Sequence, residues 1–506
     1  MLARFLSLAL VVLLLLHCYV CSGGETQQPG GERTEKNAGA TRPNILFIYV
    51  DDLGWKDAGY MGSDFYETPH LDQLAATGMV FSDAYAGAAN CAPSRACLLS
   101  GQYSPRHKIF NVGTGPRGKS EYRRLKHVAG VDTLDSNITT WAQCLKEHGY
   151  RTGTFGKWHL SADPRQFGFD VNVGGTHAGS PPKGYYPPHP GAPGLENARA
   201  GEYLTDRISR EANEFIRNNR KHPWLVYLTH FAVHTPIQPK RELLEKYAAK
   251  KPGKLHDNQK MATMIEAVDD GVGMILDTLR ELGIDERTIV IFYSDNGGYG
   301  PATDMSPLKG YKGTFYEGGI RVPFFVRWPG VTLPGSTCNE PVTAVDLFPT
   351  LCEMVGAALP QNQPLDGKSI VPLLTSERKT IDVNGKPRAL FWHFPCYLQS
   401  TGQVFDEQRD PLFRTRPCSV LRQGDWKLHQ YFEDGQLELY NLKEDIGETT
   451  DLKDKLPDKT RQLLAILESW QAEIGAPIPG ESNPEFDRQA EAEAINKASE
   501  KARLRK

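Results

Sequence analysis

Two stretches of this chain are apolar at nearly every position: Asn44–Val50 (NILFIYV) and Thr288–Ser294 (TIVIFYS). Unbroken apolar runs of this length mark strands covered on both faces. Arg151–Phe155, Trp224–Thr229 and Val322–Arg327 read as further strands. Helical periodicity lies between them. Its clearest case is Met261, Met264, Ile265, Val268, Val272, Ile275, Leu276 and Leu279, spaced at three- and four-residue steps. Thr68-Pro69 opens a helix through Ala76 that Gly78 stops, and Gly149 ends another from Thr139 to Glu147. Tyr203–Asn218 and Asp346–Val355 complete the set. Strands alternating with helices predict an α/β fold, a large, mostly parallel sheet sandwiched by helices.

After about Arg378 the texture changes. Short strands at Ala389–His393, Ser419–Arg422, Trp426–Tyr431 and Leu437–Tyr440 precede one helix near Pro457–Ile474. That pattern predicts a smaller C-terminal α+β subdomain with an antiparallel sheet. Gly174–Gly201 is rich in Gly and Pro without periodicity and reads as a long loop, of the kind that is either functional or disordered. The organisation expected is an export signal over 1–22, a disordered leader over 23–41, a catalytic domain over 42–378, a C-terminal subdomain over 386–478 and a charged tail over 479–506. Arg4 and the apolar run Phe5–Leu16, broken only by Ser7, carry the signal reading. No second run approaches spanning length, so no membrane contact is expected beyond the signal.

Composition narrows the function. The chain has 506 residues, 24% of them charged, and a net charge of -3, which argues against nucleic acid as a partner. Two of its nine cysteines lie in the signal. For an exported chain, Cys338/Cys352 and Cys396/Cys418 are the local disulfide options, and connectivity stays open. Asn137-Ile138-Thr139 is a glycosylation sequon if the route is eukaryotic.

Candidate chemistry gathers at strand ends. Asp51-Asp52 and Asp295-Asn296 each follow an apolar strand, where open α/β sheets bind ligands. Three carboxylates and an amide are hard oxygen donors suited to Ca²⁺ or, less well, Mg²⁺, and poorly suited to Zn²⁺. Lys157 and His159 flank Trp158, and residues i and i+2 of a strand point the same way, into one pocket. In Cys91-Ala92-Pro93-Ser94-Arg95, Pro93 fits the first turn of a helix, Cys91 stands at its positive end and Arg95 adds a cation one turn on.

That string, followed by Leu98 and Gly101, resembles the signature of the type I, formylglycine-dependent sulfatases of the alkaline phosphatase superfamily. The resemblance runs from about Arg42 to about Leu452 and is closest in texture to bacterial carbohydrate sulfatases. It implies an alkaline-phosphatase-like fold and oxidation of Cys91 to formylglycine by a maturation enzyme. It also implies Ca²⁺ on Asp51, Asp52, Asp295, Asn296 and the modified Cys91. Gly-Lys-Trp-His-Leu matches the family at Lys157 and His159, and two further family positions fall on His234 and Lys312, with Lys309 a weaker rival. The implied mechanism has a hydrated aldehyde attack sulfur and then release sulfate by collapse. Arg95 and Lys157 hold the diol, His159 acts as base, and Lys312 and His234 meet the sulfate and the leaving oxygen, with His234 as proton donor.

For the substrate, Tyr185 and Tyr186 are expected to stack on a sugar face and His177 to reach a ring hydroxyl, and the resemblance implies that the C-terminal subdomain closes one side of the pocket, with His393 as a contributor. A sulfated sugar is the first expectation, with an aryl sulfate as surrogate. The competing classes are a phosphodiesterase or phosphonate monoester hydrolase and a carbohydrate-binding pseudoenzyme. The expected location is exported, periplasmic or secreted, or lysosomal in a eukaryote.

Overall fold

The computed structural model describes residues 42–402 and 409–503, so the expected signal and leader lie outside the described residues. Asn44–Val50 (β1) is buried at every position. The same sheet holds Met79–Phe81 (β2), Arg151–Gly156 (β3), Val171–Val173 (β4), Trp224–Thr229 (β5), Thr288–Ser294 (β6), Phe324–Arg327 (β7) and Ser336–Cys338 (β8). Their order is β4-β3-β5-β1-β6-β7-β2-β8. Every pairing is parallel except those of β7 with β6 and β2.

The period of two along β1 decides which layer each side chain joins. Leu46, Ile48 and Val50 face one core, with Leu71 and Leu74 of Pro69–Thr77 (α1). Ile45, Phe47 and Tyr49 face the other, with Leu98 and Leu99 of Cys91–Ser100 (α2) and Trp141 of Trp141–Glu147 (α3). The first layer also holds Leu204–Asn219 (α4) and the periodic helix Gln259–Glu281 (α5), capped by Asn258, whose side chain accepts from the Met261 N–H. The second holds Leu347–Val355 (α6). Each fully buried Leu, Ile or Phe contributes roughly 1.5–3 kcal/mol, so the two layers hold the sheet from both sides.

The C-terminal sheet is antiparallel: Ala389–Phe394 (β9), Cys418–Gln423 (β10), Trp426–Tyr431 (β11) and Leu437–Asn441 (β12), in that order. Pro457–Ile474 (α7) covers it through Leu463, Leu467 and Trp470, whose ring stacks on Phe391 at 4.5 Å. The last segment, read as a charged tail, carries a helix. Arg488–Arg503 (α8) turns a buried carboxylate, Glu491, onto Arg416 and Arg124, and Asn483 bonds to the Ser120 and Arg123 carbonyls. The charges that suggested a solvated tail are partly the ones that clasp it down.

All cysteines among the described residues are free thiols, so neither local disulfide option forms. Cys338 sits on edge strand β8, while Cys352 is buried on α6 beside Cys144 of α3. Cys396 meets the Val128 carbonyl, and Cys418 is buried in β10.

The C-terminal sheet is tied to the large one by buried charge. Glu317 accepts from Lys427 Nζ at 2.9 Å, from Tyr85 Oη at 2.6 Å and from Arg321 at 3.2 Å. Lys427 also meets Glu448 at 3.0 Å, and Glu448 accepts the Glu317 N–H at 2.6 Å. Burial raises the Glu317 carboxyl, but Lys427, Arg321 and Arg422 outweigh it and hold it at about 2. Removing one partner of a buried ion set costs about 3–5 kcal/mol, because the others stay desolvated. Glu317→Ala should therefore lower stability by about that amount in urea unfolding. Adding Lys427→Met should restore part of the loss. Equal stability of wild type and Glu317→Ala would show that the network is not under this constraint.

Candidate active site

The strands that carry the candidate residues are neighbours, β3-β5-β1-β6, and they point the same way. Their carboxyl ends therefore meet at one edge. β1 runs into Asp51-Asp52 and β6 into Asp295-Asn296. β3 runs into Lys157-Trp158-His159, and β5 leads to His234. Cys91 is the first residue of α2, 2% exposed, and its Sγ lies within 4.8 Å of a carboxylate oxygen of Asp51 and of Asp295.

Three cations match the three carboxylates. Lys157 Nζ donates to Asp51 at 2.6 Å, and Lys312 Nζ to Asp52 at 2.7 Å. Arg95 gives Nε and Nη2 to one oxygen of Asp295 at 3.1 and 3.0 Å. Its Nη1 donates to the Lys157 carbonyl and to Thr229 Oγ1, and its guanidinium lies 4.8 Å over the Tyr49 ring. Lys157 and Arg95 are fully buried beneath the cavity, and Lys312 lines it. Arg95 thus spends four of its five N–H donors on Asp295, the Lys157 carbonyl and Thr229, and it positions the carboxylate floor.

Two acceptors in this floor have no hydrogen-bond partner among the described residues: Asp51 Oδ1 and Asn296 Oδ1. Asn296 turns its amide N–H to Asp52 at 2.9 Å, and Asp295 accepts the Asp52 N–H at 3.1 Å. Burial, with the Asp51 carboxylate adding to it, pushes Asp295 up to about 7 against the pull of Arg95. Burial would also raise Asp52, but Lys312, His234 and Lys157 hold it far below the carboxylate range. A divalent cation accepting the orphaned oxygens would relieve both the lost hydrogen bonds and the carboxylate crowding.

Lys157 and His159 both reach the site, though not because they share a strand face. β3 stops at Gly156, and His159 has φ +69°, a left-handed turn that swings its ring into the cavity. Burial, with Lys157, Arg95 and Lys312 adding to it, holds His159 well below its ordinary value, so it is neutral. His234 is pushed down to about 3 by burial and Lys312. Its Nδ1–H donates to the Thr235 carbonyl at 2.8 Å, which leaves Nε2 as a lone pair 3.9 Å from Asp52. To act as a proton donor it must first take a proton up.

The rival Lys309 is drawn away, 4.0 Å over the Tyr316 ring and toward the Glu448 carbonyl. The sugar-facing residues fare unevenly. Tyr185 is fully buried, its hydroxyl shared between the Phe231 and His234 carbonyls, so it cannot stack on a sugar and instead props the His234 turn. Tyr186 bonds Pro239 and packs on Tyr203 and Arg241, outside the cavity lining. His393 is buried between Ser419 and the Pro477 carbonyl. His177 alone stays close and exposed, its ring 6.4 Å from that of His159.

The cavity above Cys91 has a volume of about 390 Å³. Besides Cys91, Asp52, His159, His234 and Lys312, its lining includes Asn90, Tyr299, Arg117 and Arg414. The last two come from stretches without any recognisable motif. The C-terminal subdomain does close one side of the pocket, but through Leu398 and Arg414 rather than His393.

Cations and oxygen donors gathered at the carboxyl edge of a mostly parallel sheet suit a hydrolase of anionic esters. The family follows from comparison. A model of the sulfatase family matches residues 43–357, and one for the C-terminal region of N-sulphoglucosamine sulphohydrolase matches residues 311–471. A sulfatase of Formosa agariphila is 34% identical, over 88% of this chain and 91% of its own length. Human N-acetylgalactosamine-6-sulfatase is 31% identical, over 66% of each chain. The crystal structure of Ps i-CgsB in complex with k-i-k-neocarrahexaose is similar at a TM-score of 0.70 and 29% identity, over 91% of this chain and 98% of its own. The chain belongs to the sulfatase family and is a sulfuric ester hydrolase.

A Cβ built on Gly179 would lie 2.4 Å from the His159 ring. The ring can turn away, but only by leaving its place in the cavity. Gly179→Ala should therefore lower kcat about tenfold or more, the scale of a displaced acid–base group, with the thermal midpoint nearly unchanged. Unaltered turnover would show that the position of His159 is not critical.

Proposed function

We propose that the chain hydrolyses the sulfate ester of a sulfated carbohydrate, using a formylglycine made from Cys91 and a Ca²⁺ ion held by Asp51, Asp52, Asp295 and Asn296. The observation that carries this reading is Cys91 itself. It opens α2 directly above two buried carboxylates and faces a cavity lined by His159, His234 and Lys312. The orphaned Asp51 and Asn296 oxygens fit a hard cation, and the all-oxygen donor set beside them favours Ca²⁺ or Mg²⁺ over Zn²⁺. The carbohydrate reading is supported by relatives whose names specify sulfated sugars and by the sugar held in a similar structure.

When present, the ion supplies a Lewis acid that polarises a bound oxygen. An aldehyde at position 91, once hydrated, supplies an oxygen nucleophile and a second hydroxyl through which sulfate is released. The chain's own residues do the rest. Lys312 lines the cavity, where its charge stabilises the sulfate oxygens as negative charge builds on them. His159, neutral and with Nδ1 unpaired among the described residues, accepts the proton of the second hydroxyl. His234 protonates the leaving oxygen after the bound anion has raised its basicity, with Tyr185 fixing the turn that carries it. Lys157 and Arg95 hold Asp51 and Asp295 in place beneath.

Maturation then needs a formylglycine-generating enzyme, which fits an exported chain. Among the described residues no helix is long and apolar enough to cross a membrane.

Cys91→Ala and Cys91→Ser, made in an aerobic host with the maturation enzyme, should both lose sulfate release to background. Normal release from either would overturn the formylglycine reading. Ca²⁺ should raise the thermal midpoint of the wild type, by about 2.7 kcal/mol of stability at a hundredfold excess over Kd. Asp295→Asn should lose that response. A wild-type midpoint that is the same in Ca²⁺ and in EDTA would overturn the metal assignment.

A further inference from the structure

The charge of the pocket does not balance around one sulfate ester. Asp51, Asp52 and Asp295 are each matched by a cation, Lys157, Lys312 and Arg95 in turn. His159 and His234 are held neutral. Two guanidiniums on the same cavity, Arg117 and Arg414, have no carboxylate within salt-bridge distance among the described residues. A sulfate monoester carries one negative charge, which the Ca²⁺ proposed on these carboxylates would answer by itself.

Both arginines are built into position. Arg414 donates Nε to the Gln399 carbonyl at 3.1 Å and Nη1 to the Lys312 carbonyl at 3.2 Å, which leaves Nη2 unspent. It passes over Gly313, at φ +92°, where a Cβ would lie 2.6 Å from Leu398 and 3.1 Å from Arg414 Nη1. Thr415 next to it fixes the Gly313 carbonyl at 2.7 Å. Arg117 spends Nη2 on the Val112 carbonyl at 2.8 Å. The adjoining Gly118, at φ +84°, packs so closely on Phe413 that a Cβ would lie 2.5 Å from its ring. The two side chains thus come from distant segments locked together by two glycines. Burial lowers the Arg414 value, and the like charge of Arg117 adds to it against the opposing pull of Tyr311, Tyr299 and Asp52.

We propose that Arg117 and Arg414 form a subsite for a second anionic group of the substrate, a neighbouring sulfate or a carboxylate on the same saccharide. This rests on the carbohydrate sulfatase reading and narrows it to polyanionic saccharides. Planar guanidiniums with fixed carbonyl contacts present their remaining N–H groups in a fork suited to sulfate or carboxylate. Their placement beside Lys312 sets the second anion next to the ester being cleaved. A monoanionic sugar leaves two cations without a carboxylate partner unanswered, so the arrangement selects against it as well as for the dianion.

The test uses the full, matured chain and three probes. These are a monosulfated disaccharide, the same disaccharide with a second sulfate, and the same with a uronate carboxylate instead. The wild type should show a kcat/KM at least about tenfold higher on one dianionic probe than on the monoanion, as loss of a charge-assisted hydrogen bond implies. The preferred probe identifies the anion. Arg414→Gln and Arg117→Gln should each cut the dianion-to-monoanion ratio by about 10- to 100-fold, mostly through KM. Arg414→Lys, which keeps the charge and loses the fork, should fall between. Should Arg414→Gln fail to fold, Arg117→Gln on its half-exposed side chain keeps the comparison available. Equal kcat/KM on all three probes, or a ratio that the glutamine variants leave in place, overturns the subsite. Sulfate release from no probe at full Cys91 conversion overturns the carbohydrate sulfatase reading and the subsite with it.

Discussion

The constraint on which the rest depends is the burial of three carboxylates at one edge of the sheet. Two unit charges at 4 Å interact by about 4 kcal/mol even at an effective dielectric constant of 20, so three acids cannot share this volume without answering charge. Each answer comes from a different element: Lys157 from the end of β3, Arg95 from α2, and Lys312 from the Gly-rich string before β7. The ion pairs add little net stability, because desolvation offsets their attraction. What they do is orient. Arg95 sits one turn after Cys91 on α2, and its bonds to Asp295, Thr229 and the Lys157 carbonyl fix the rotation of the helix. That rotation turns Cys91 to the cavity floor. The strand order β3-β5-β1-β6 is what makes the convergence possible, since it places four parallel strand ends side by side.

What the sequence disclosed follows the physics of periodicity. β1, β6 and α5 were legible because their burial is complete or strictly periodic, and the acidic pairs were legible because they end such runs. β2, β4 and β8 escaped, being three-residue strands whose pairing partners, not their own residues, make them strands. The motif residues reached the site, yet one local argument for them did not hold: His159 arrives by a positive φ rather than by strand alternation. The loop aromatics misled for a related reason. A Pro- and Gly-rich loop has few ways to hold its shape, and Tyr185 and Tyr203 stack at 5.6 Å to give it a core of its own. An aromatic residue in such a loop is needed inside before it is available outside. Arg117 and Arg414 left no trace in the sequence, because their role arises only where two distant segments meet.

The C-terminal subdomain is therefore part of the site and not merely attached to it. The string that carries Lys312 is gripped at both ends by that subdomain. Thr415 and Arg414 hold the carbonyls of Gly313 and Lys312, and Lys427 and Glu448 hold Glu317. Only four residues lie between Lys312 and Glu317, five Cα steps with a maximum reach of about 18 Å at ~3.6 Å per residue, so the ammonium has little freedom once both grips are set. The same contacts that steady Lys312 against Asp52 bring Arg414 to the cavity wall. Change in the C-terminal subdomain can thus reshape this wall, while the acids and histidines stay on the loops at the strand ends and Cys91 on α2. Holding the carboxylates on rigid strand ends while a different layer supplies part of the cavity wall lets that wall vary without moving the carboxylates.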